Sequence, residues 1–269
     1  MPSNKSYQAV PQTEDTFSSP AGAPPPPAYG AAPLHPQPRS DDVASNDFKM
    51  GLVSQVDIVI RMAFVRKVYS ILFAQLALTS AVGAFFMFCK PVQAWIHQNQ
   101  WMMFLSLFGT IGMMLALFWK RHSYPANFYL LGGFTLLEAY AVGNIVTYYD
   151  TIIVLEATII TAGLFLGLTL FTMQSKWDFS GMGPYLFTGL WMLIISGFVG
   201  MFFPHNGVFE IVYAVVGALI FSAYIIYDTY LIMNKLSVEE YIVAAISLYL
   251  DIINLFLNIL RILNSQNDN

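Results

Sequence analysis

The chain has 269 residues, of which 57% are hydrophobic, 16% aromatic and only 10% charged, with a net charge of −4 and a mean hydropathy of +0.58. A water-covered globule carries roughly 25% charged residues, so this composition excludes a soluble enzyme and a disordered regulator. With no basic patch it excludes nucleic acid as a partner too.

Ten of the 14 prolines lie before residue 40. Residues 1–48, rich in Pro, Ala, Ser, Gln and Asp, cannot bury enough apolar surface to offset ordering, so they read as a disordered tail. Within it, Pro26, Pro27 and Tyr29 form a Pro-Pro-x-Tyr motif. Consecutive prolines preform a polyproline II helix that aromatic-lined WW grooves accept. A WW-domain ubiquitin ligase is the expected partner; a plain spacer is the alternative. No signal peptide is expected, because the first long apolar run begins only near Lys67. The single Cys89 allows no internal disulfide and no Cys-rich metal site.

After a juxtamembrane segment at 49–66, residues 67–264 read as a membrane domain, with a short tail at 265–269. A bilayer core needs about 20 apolar residues per helix. Seven runs qualify: 67–89, 100–119, 125–147, 151–172, 185–203, 208–233 and 241–263. Pro91, Pro125, Pro184 and Pro204 fall at or between their ends, and Trp95, Trp101, Trp119 and Trp177 lie near the same borders, where headgroups suit the indole. The expected fold is an all-α bundle of seven transmembrane helices, the lipid bilayer its solvent.

Arg61, Arg66, Lys67, Lys120, Arg121, Lys176 and Lys235 gather before the first span and in the even loops. The bias places the N-terminus in the cytosol, so the Asn4-Lys5-Ser6 sequon should stay unmodified. Seven crossings put the C-terminus on the far side, unless the last segment is re-entrant. Gly163 and Gly167, with Gly109 and Gly112, suggest close helix packing.

The informative residues are acids within the spans: Glu138, Glu156, Asp228 and Asp251, with no Lys or Arg in a span interior. A charge at the bilayer centre costs about 2.5–3.5 kcal/mol on insertion scales, so these positions demand a reason. An exclusively acidic set suits protons or metal cations. Asp228 and Asp251 lie equally far from the turn at Glu239 and Glu240, so a helical hairpin places them at one depth. Ser247, Asp251, Asn254 and Asn258 fall at i, i+4, i+7 and i+11, one polar face on an apolar helix that should point into the bundle. Two carboxylates in contact away from water cannot both ionise cheaply and share one proton. Such a pair is either a pH-sensing gate, with transient calcium binding, or polar glue between helices. An intramembrane aspartyl protease is not expected, because bulky Leu248-Tyr249-Leu250 precedes Asp251 where glycines must open the backbone. No other enzymatic activity and no cofactor is expected.

Several blocks fit one pattern: Phe64-Val65-Arg66-Lys67-Val68-Tyr69-Ser70, Tyr124-Pro125-Ala126-Asn127, Gly167-Leu168-Thr169-Leu170-Phe171, Lys176-Trp177-Asp178-Phe179, and Glu239-Glu240-Tyr241 through Leu248-Tyr249-Leu250-Asp251-Ile252-Ile253-Asn254-Leu255-Phe256. Together they resemble the transmembrane Bax-inhibitor-motif family, closest to its lifeguard or Golgi anti-apoptotic branch, over residues 61–263. The resemblance implies six helices around a polar seventh, a pH-sensitive calcium leak from internal stores (endoplasmic reticulum, Golgi or vacuole) and protection against cell death. The family's aspartate pair carries over to Asp228 and Asp251, and an acid implicated in conduction carries over to Glu239. Bacterial relatives hold the pair with an arginine on the second helix, and none lies in 100–119 here. Tyr224, Asn254 or a shared proton are the remaining latches. On the leading reading Glu138, Glu239, Ser247, Asn254 and Asn258 line a route for calcium and protons. On the rival one the chain is a non-conducting adaptor that suppresses death signalling through cell-death regulators.

Overall fold

In a bilayer every backbone N–H must find its partner within the spanning segment, so the apolar runs become helices. The computed structural model describes residues 58–200, Phe202 and 207–267. The Pro-rich tail, with Asn4, Pro26, Pro27 and Tyr29, and also Pro204, lie outside them. The helices are α1 (Ile58–Phe88), α2 (Lys90–Gln98), α3 (Trp101–Lys120), α4 (Ala126–Val146), α5 (Thr151–Gln174), α6 (Gly183–Gly200), α7 (Gly207–Asn234) and α8 (Tyr241–Asn267). All but the nine-residue α2 are long and apolar enough to cross a membrane.

Proline sets several of the ends. Pro91 sits in the first turn of α2, where its missing N–H costs nothing, and Pro125 caps α4. The belt tryptophans Trp95, Trp101, Trp119 and Trp177 are all at least half exposed. α1 starts at Ile58 rather than 67, because Ile58, Val59 and Ile60 continue the helix outward and Arg61 and Arg66 tolerate its polar end. α8 reaches Asn267 unbroken, one continuous helix long and apolar enough to cross a membrane.

α8 is the most buried helix: 72% of its most apolar stretch is inside, against 11–50% for the other six spans. It packs on α7, α1 and α5, and more lightly on α4. Tyr249, Leu248, Leu255 and Leu260 of α8 meet Val68, Leu72, Phe134 and Ile225 in the core, each fully buried. α3 leans on α4 and α6 on α7, so these two lie outermost. An ion pair, Arg121–Glu240 at 3.7 Å, and a polar contact, His122 Nδ1 to Glu239 at 3.9 Å, tie the α3–α4 loop to the α7–α8 turn. Lys67 lies 3.3 Å over the Tyr241 ring at the same end, hereafter the basic face.

The expected packing at Gly163 and Gly167 is not what α5 uses. A Cβ on either would meet nothing within 4 Å. α5 buries Ile153, Ala157, Thr161, Thr169 and Thr172 instead, which leaves the two glycines on the opposite side. Gly109 does meet a neighbour, Leu137 of α4, and Gly112 does not.

Candidate functional site

The site is built on the α7–α8 hairpin. Glu240 accepts from the Ser237 backbone N–H at 3.3 Å and its carbonyl accepts from Ala244 at 2.9 Å, a partial capping box that starts α8 tightly after the turn. Two helices leaving a short turn keep equal depths at equal chain distance. Asp228 of α7 and Asp251 of α8 therefore come together, their carboxyls within hydrogen-bonding reach.

Asp228 is half-buried and Asp251 only 6% exposed. Asp251 Oδ2 is buried and, among the described residues, meets no donor. A carboxyl donates only when protonated, so the pair can be bonded together only by holding a proton between them. Among the described residues neither aspartate forms an ion pair with a lysine or arginine. Tyr224, one turn before Asp228, lies close enough to feel both carboxyls. Tyr227 points elsewhere: a Cβ on Gly183 would meet its hydroxyl at 2.6 Å, so only glycine lets the start of α6 approach there.

The remaining predicted residues are distributed. Asn254 and Asn258 donate to their own helix, to the Leu250 and Asn254 carbonyls, each at 2.8 Å. Ser247 and Asn254 are half-buried, while Asn258 is buried against Gly217 of α7. Glu138 is not with the pair. It stands on α4 beside Thr110 of α3, on the side of α8 that carries Tyr249. Glu239 is on the basic face, opposite His122. Glu156 is exposed on α5 near the other end of the bundle, with Asp150, Gln266 and Asn267.

Sequence reasoning missed a group of hydroxyls beside the pair. Tyr69 of α1, Thr169 of α5 and Thr229 of α7 converge, Thr229 fully buried and adjacent in sequence to Asp228. Their oxygens are neighbours without a well-aligned hydrogen bond. No spacing rule links three helices, so only the fold reveals them. Among the described residues no three His, Cys, Asp or Glu gather, so a cation at the pair would meet two carboxyls. Calcium takes six to eight oxygen ligands, and two carboxyls suit transit better than retention.

Residues 61–268 match the family model described as inhibitor of apoptosis-promoting Bax1. The chain is 46% identical to protein lifeguard 4 of Mus musculus over 231 residues, covering 86% of this chain and 96% of the relative. It is 46% identical to the Golgi anti-apoptotic protein of Vaccinia virus (strain Lister), over 82% of this chain and 94% of that one. Bax inhibitor 1 of Schizosaccharomyces pombe aligns over the full length of both chains at 41% identity.

Proposed function

Because this chain belongs to the Bax-inhibitor family of integral membrane proteins, we propose that it is an anti-apoptotic, pH-sensitive calcium leak of an intracellular membrane, gated by the Asp228–Asp251 pair. The observation that carries this reading is the contact of two acids from adjacent helices, Asp251 buried and Asp228 half-buried, without a basic partner among the described residues. Singly protonated, the pair latches α7 to α8 through a charge-assisted bond. Doubly charged, it repels and draws water, favouring separation. Full protonation removes both the repulsion and the strong bond. Flux therefore depends on pH, with the latch firmest where one proton is shared.

The orientation proposed with it puts the basic face in the cytosol, following the concentration of Lys and Arg in the first turns of α1 and in the loops after α3, α5 and α7. The half-buried Ser247 and Asn254, on the face of α8 that carries Asp251, with Glu239 at the basic face, are the proposed lining of the route, and Glu138, on the Tyr249 side of α8, stands apart from it.

The test is calcium flux into liposomes that hold a calcium dye, measured across pH. Asp228→Asn and Asp251→Asn should flatten the profile, since an amide keeps the size and hydrogen bonding of the acid but does not titrate. A wild-type protein that passes no calcium would make the chain an adaptor. Flux with mutant and wild-type pH curves superimposed would reduce the pair to helix glue.

A further inference from the structure

Tyr69 reaches from α1 across to α5, two helices that otherwise share no extended seam. Its ring lies tilted on Phe165, with centroids 6.4 Å apart. Its hydroxyl ends beside Thr169, one turn further along α5, and Thr229 of α7. Thr169 stands five residues before Gln174 and Thr229 five before Asn234, where their helices end. At 1.5 Å per residue the three hydroxyls lie about 7.5 Å inside the basic face, on the turn side of Asp228.

These hydroxyls do not spend their hydrogens as their neighbours do. Thr158 and Thr172 of α5 donate to the carbonyl four residues back, at 2.8 and 2.7 Å. Thr169 and Thr229, 6% and 0% exposed, make no such bond. The Tyr69 hydroxyl oxygen is likewise buried and, among the described residues, without an aligned partner. An unbonded buried hydroxyl lowers stability, and valine or phenylalanine would fill the same space without that cost. Three such groups from three helices, turned to one point, are arranged for something that passes or binds there.

The chemistry around them selects a cation. Asp228, next to Thr229 in sequence, and Asp251 beyond it repel an anion, and among the described residues no lysine or arginine pairs with either. Each hydroxyl oxygen keeps lone pairs to offer. Calcium takes six to eight oxygens in flexible geometry, whereas magnesium demands a near-ideal octahedron and gives up water reluctantly. Three neutral oxygens can stand in for part of the water shell of calcium but cannot strip magnesium. Carrying no charge, they also let the ion leave. Resting on the calcium-leak reading, we propose that Tyr69, Thr169 and Thr229 form the ion-selecting constriction of that leak, passing calcium in preference to magnesium between the aspartate pair and the basic face.

The experiment uses the full chain in liposomes that hold a calcium dye or a magnesium dye, at one pH. The unaltered protein should pass calcium several-fold faster than magnesium. Thr229→Val and Tyr69→Phe keep the shape and remove one oxygen each. Either should slow calcium roughly tenfold, the scale of one bond to a charged group, and leave magnesium unchanged. Thr229→Ser, which keeps the oxygen, should retain calcium flux. Both oxygen-deleted variants should melt no lower than the parent, because the hydroxyls they lose are bonded to nothing. Calcium flux unaltered in both, or lost only together with a lowered melting temperature, overturns the constriction and leaves the leak standing. So does equal passage of calcium and magnesium by the unaltered protein, a comparison that decides even if a variant does not fold. An unaltered protein that passes neither ion removes the leak and the constriction with it.

Discussion

Replacing Gly217 with alanine should drive α7 and α8 apart. A Cβ built there stands 2.7 Å from Asn258 Cγ and 2.9 Å from its Nδ2. Non-bonded carbons settle at about 3.5–4.0 Å, so something must move by roughly 0.8–1.3 Å. Asn258 has little room, being 8% exposed and bonded through Nδ2 to the Asn254 carbonyl at 2.8 Å. Swinging the amide away gives up that bond, about 1 kcal/mol. Pushing the helices apart instead costs about 1–3 kcal/mol, the usual range for overpacking. Against either stands the better helix propensity of alanine, at most about 1 kcal/mol. The net expectation is a loss of about 0.5–2 kcal/mol, or about 1–8 °C in melting temperature for a domain of this size. Thermal unfolding in one detergent reads it, and a second background makes it specific. In Asn258→Ala the extra methyl has space, so the cost of Gly217→Ala should vanish. A Gly217→Ala protein that melts no lower than its parent refutes the reasoning, as does an equal cost in both backgrounds.

Three further outcomes follow from single contacts. Thr79 spends its hydrogen on the Gln75 carbonyl at 2.9 Å, so Tyr249 donates to Thr79 at 2.8 Å; Tyr249→Phe should cost about 0.6–1.5 kcal/mol in a melt, and no loss would show the bond to be idle. Asp178 is held at about 2, first by the Ser180 hydroxyl and then by the Ser180 backbone N–H, Tyr230 and Lys235. A carboxyl held below its unfolded value of about 3.9 contributes fully above that pH and loses its contribution as pH falls through about 2. Proteolysis of the 175–182 loop should therefore be flat around neutrality and rise only in strong acid, whereas Asp178→Asn should be cut faster already at pH 7; equal cutting there would dismiss the anchor. A tail peptide should bind a WW domain and lose that binding in Tyr29→Ala, and unchanged affinity for every WW domain tried would leave residues 26–29 as a spacer.

Seven helices and the aspartate pair were legible because both rest on one-dimensional rules. Apolar length announces a span, and equal distance from the turn at Glu239 and Glu240 puts Asp228 opposite Asp251. The glycines were misread because Gly163 and Gly167 mark where a helix can be approached, not whether a neighbour comes. Gly217, which carried no motif, is the glycine that α8 needs. The Tyr69–Thr169–Thr229 group stayed hidden for a related reason. Membrane threonines commonly bond back to their own helix, as Thr79, Thr135, Thr161 and Thr172 do here, so a threonine in the sequence does not tell which way it faces. The start of α1 was missed because helix continuity does not require apolar continuity, and Arg61 and Arg66 interrupt only the latter.

The burial of α8 bears on how the protein is assembled. Asp251, Asn254 and Asn258 give it a polar face that lipid cannot satisfy, and it follows the other six spans in the chain. Emerging from the insertion machinery, it meets partners already in place, among them Val68 and Leu72 of α1, Phe134 of α4 and Ile225 of α7. Asp228 must wait in the membrane for its counterpart, across the few residues of a tight turn. The hairpin shortens that wait, because α7 and α8 can be delivered as one unit with their polar surfaces already facing each other. Biogenesis and gating then draw on the same contact: the seam that closes last during synthesis is the one proposed to open in use.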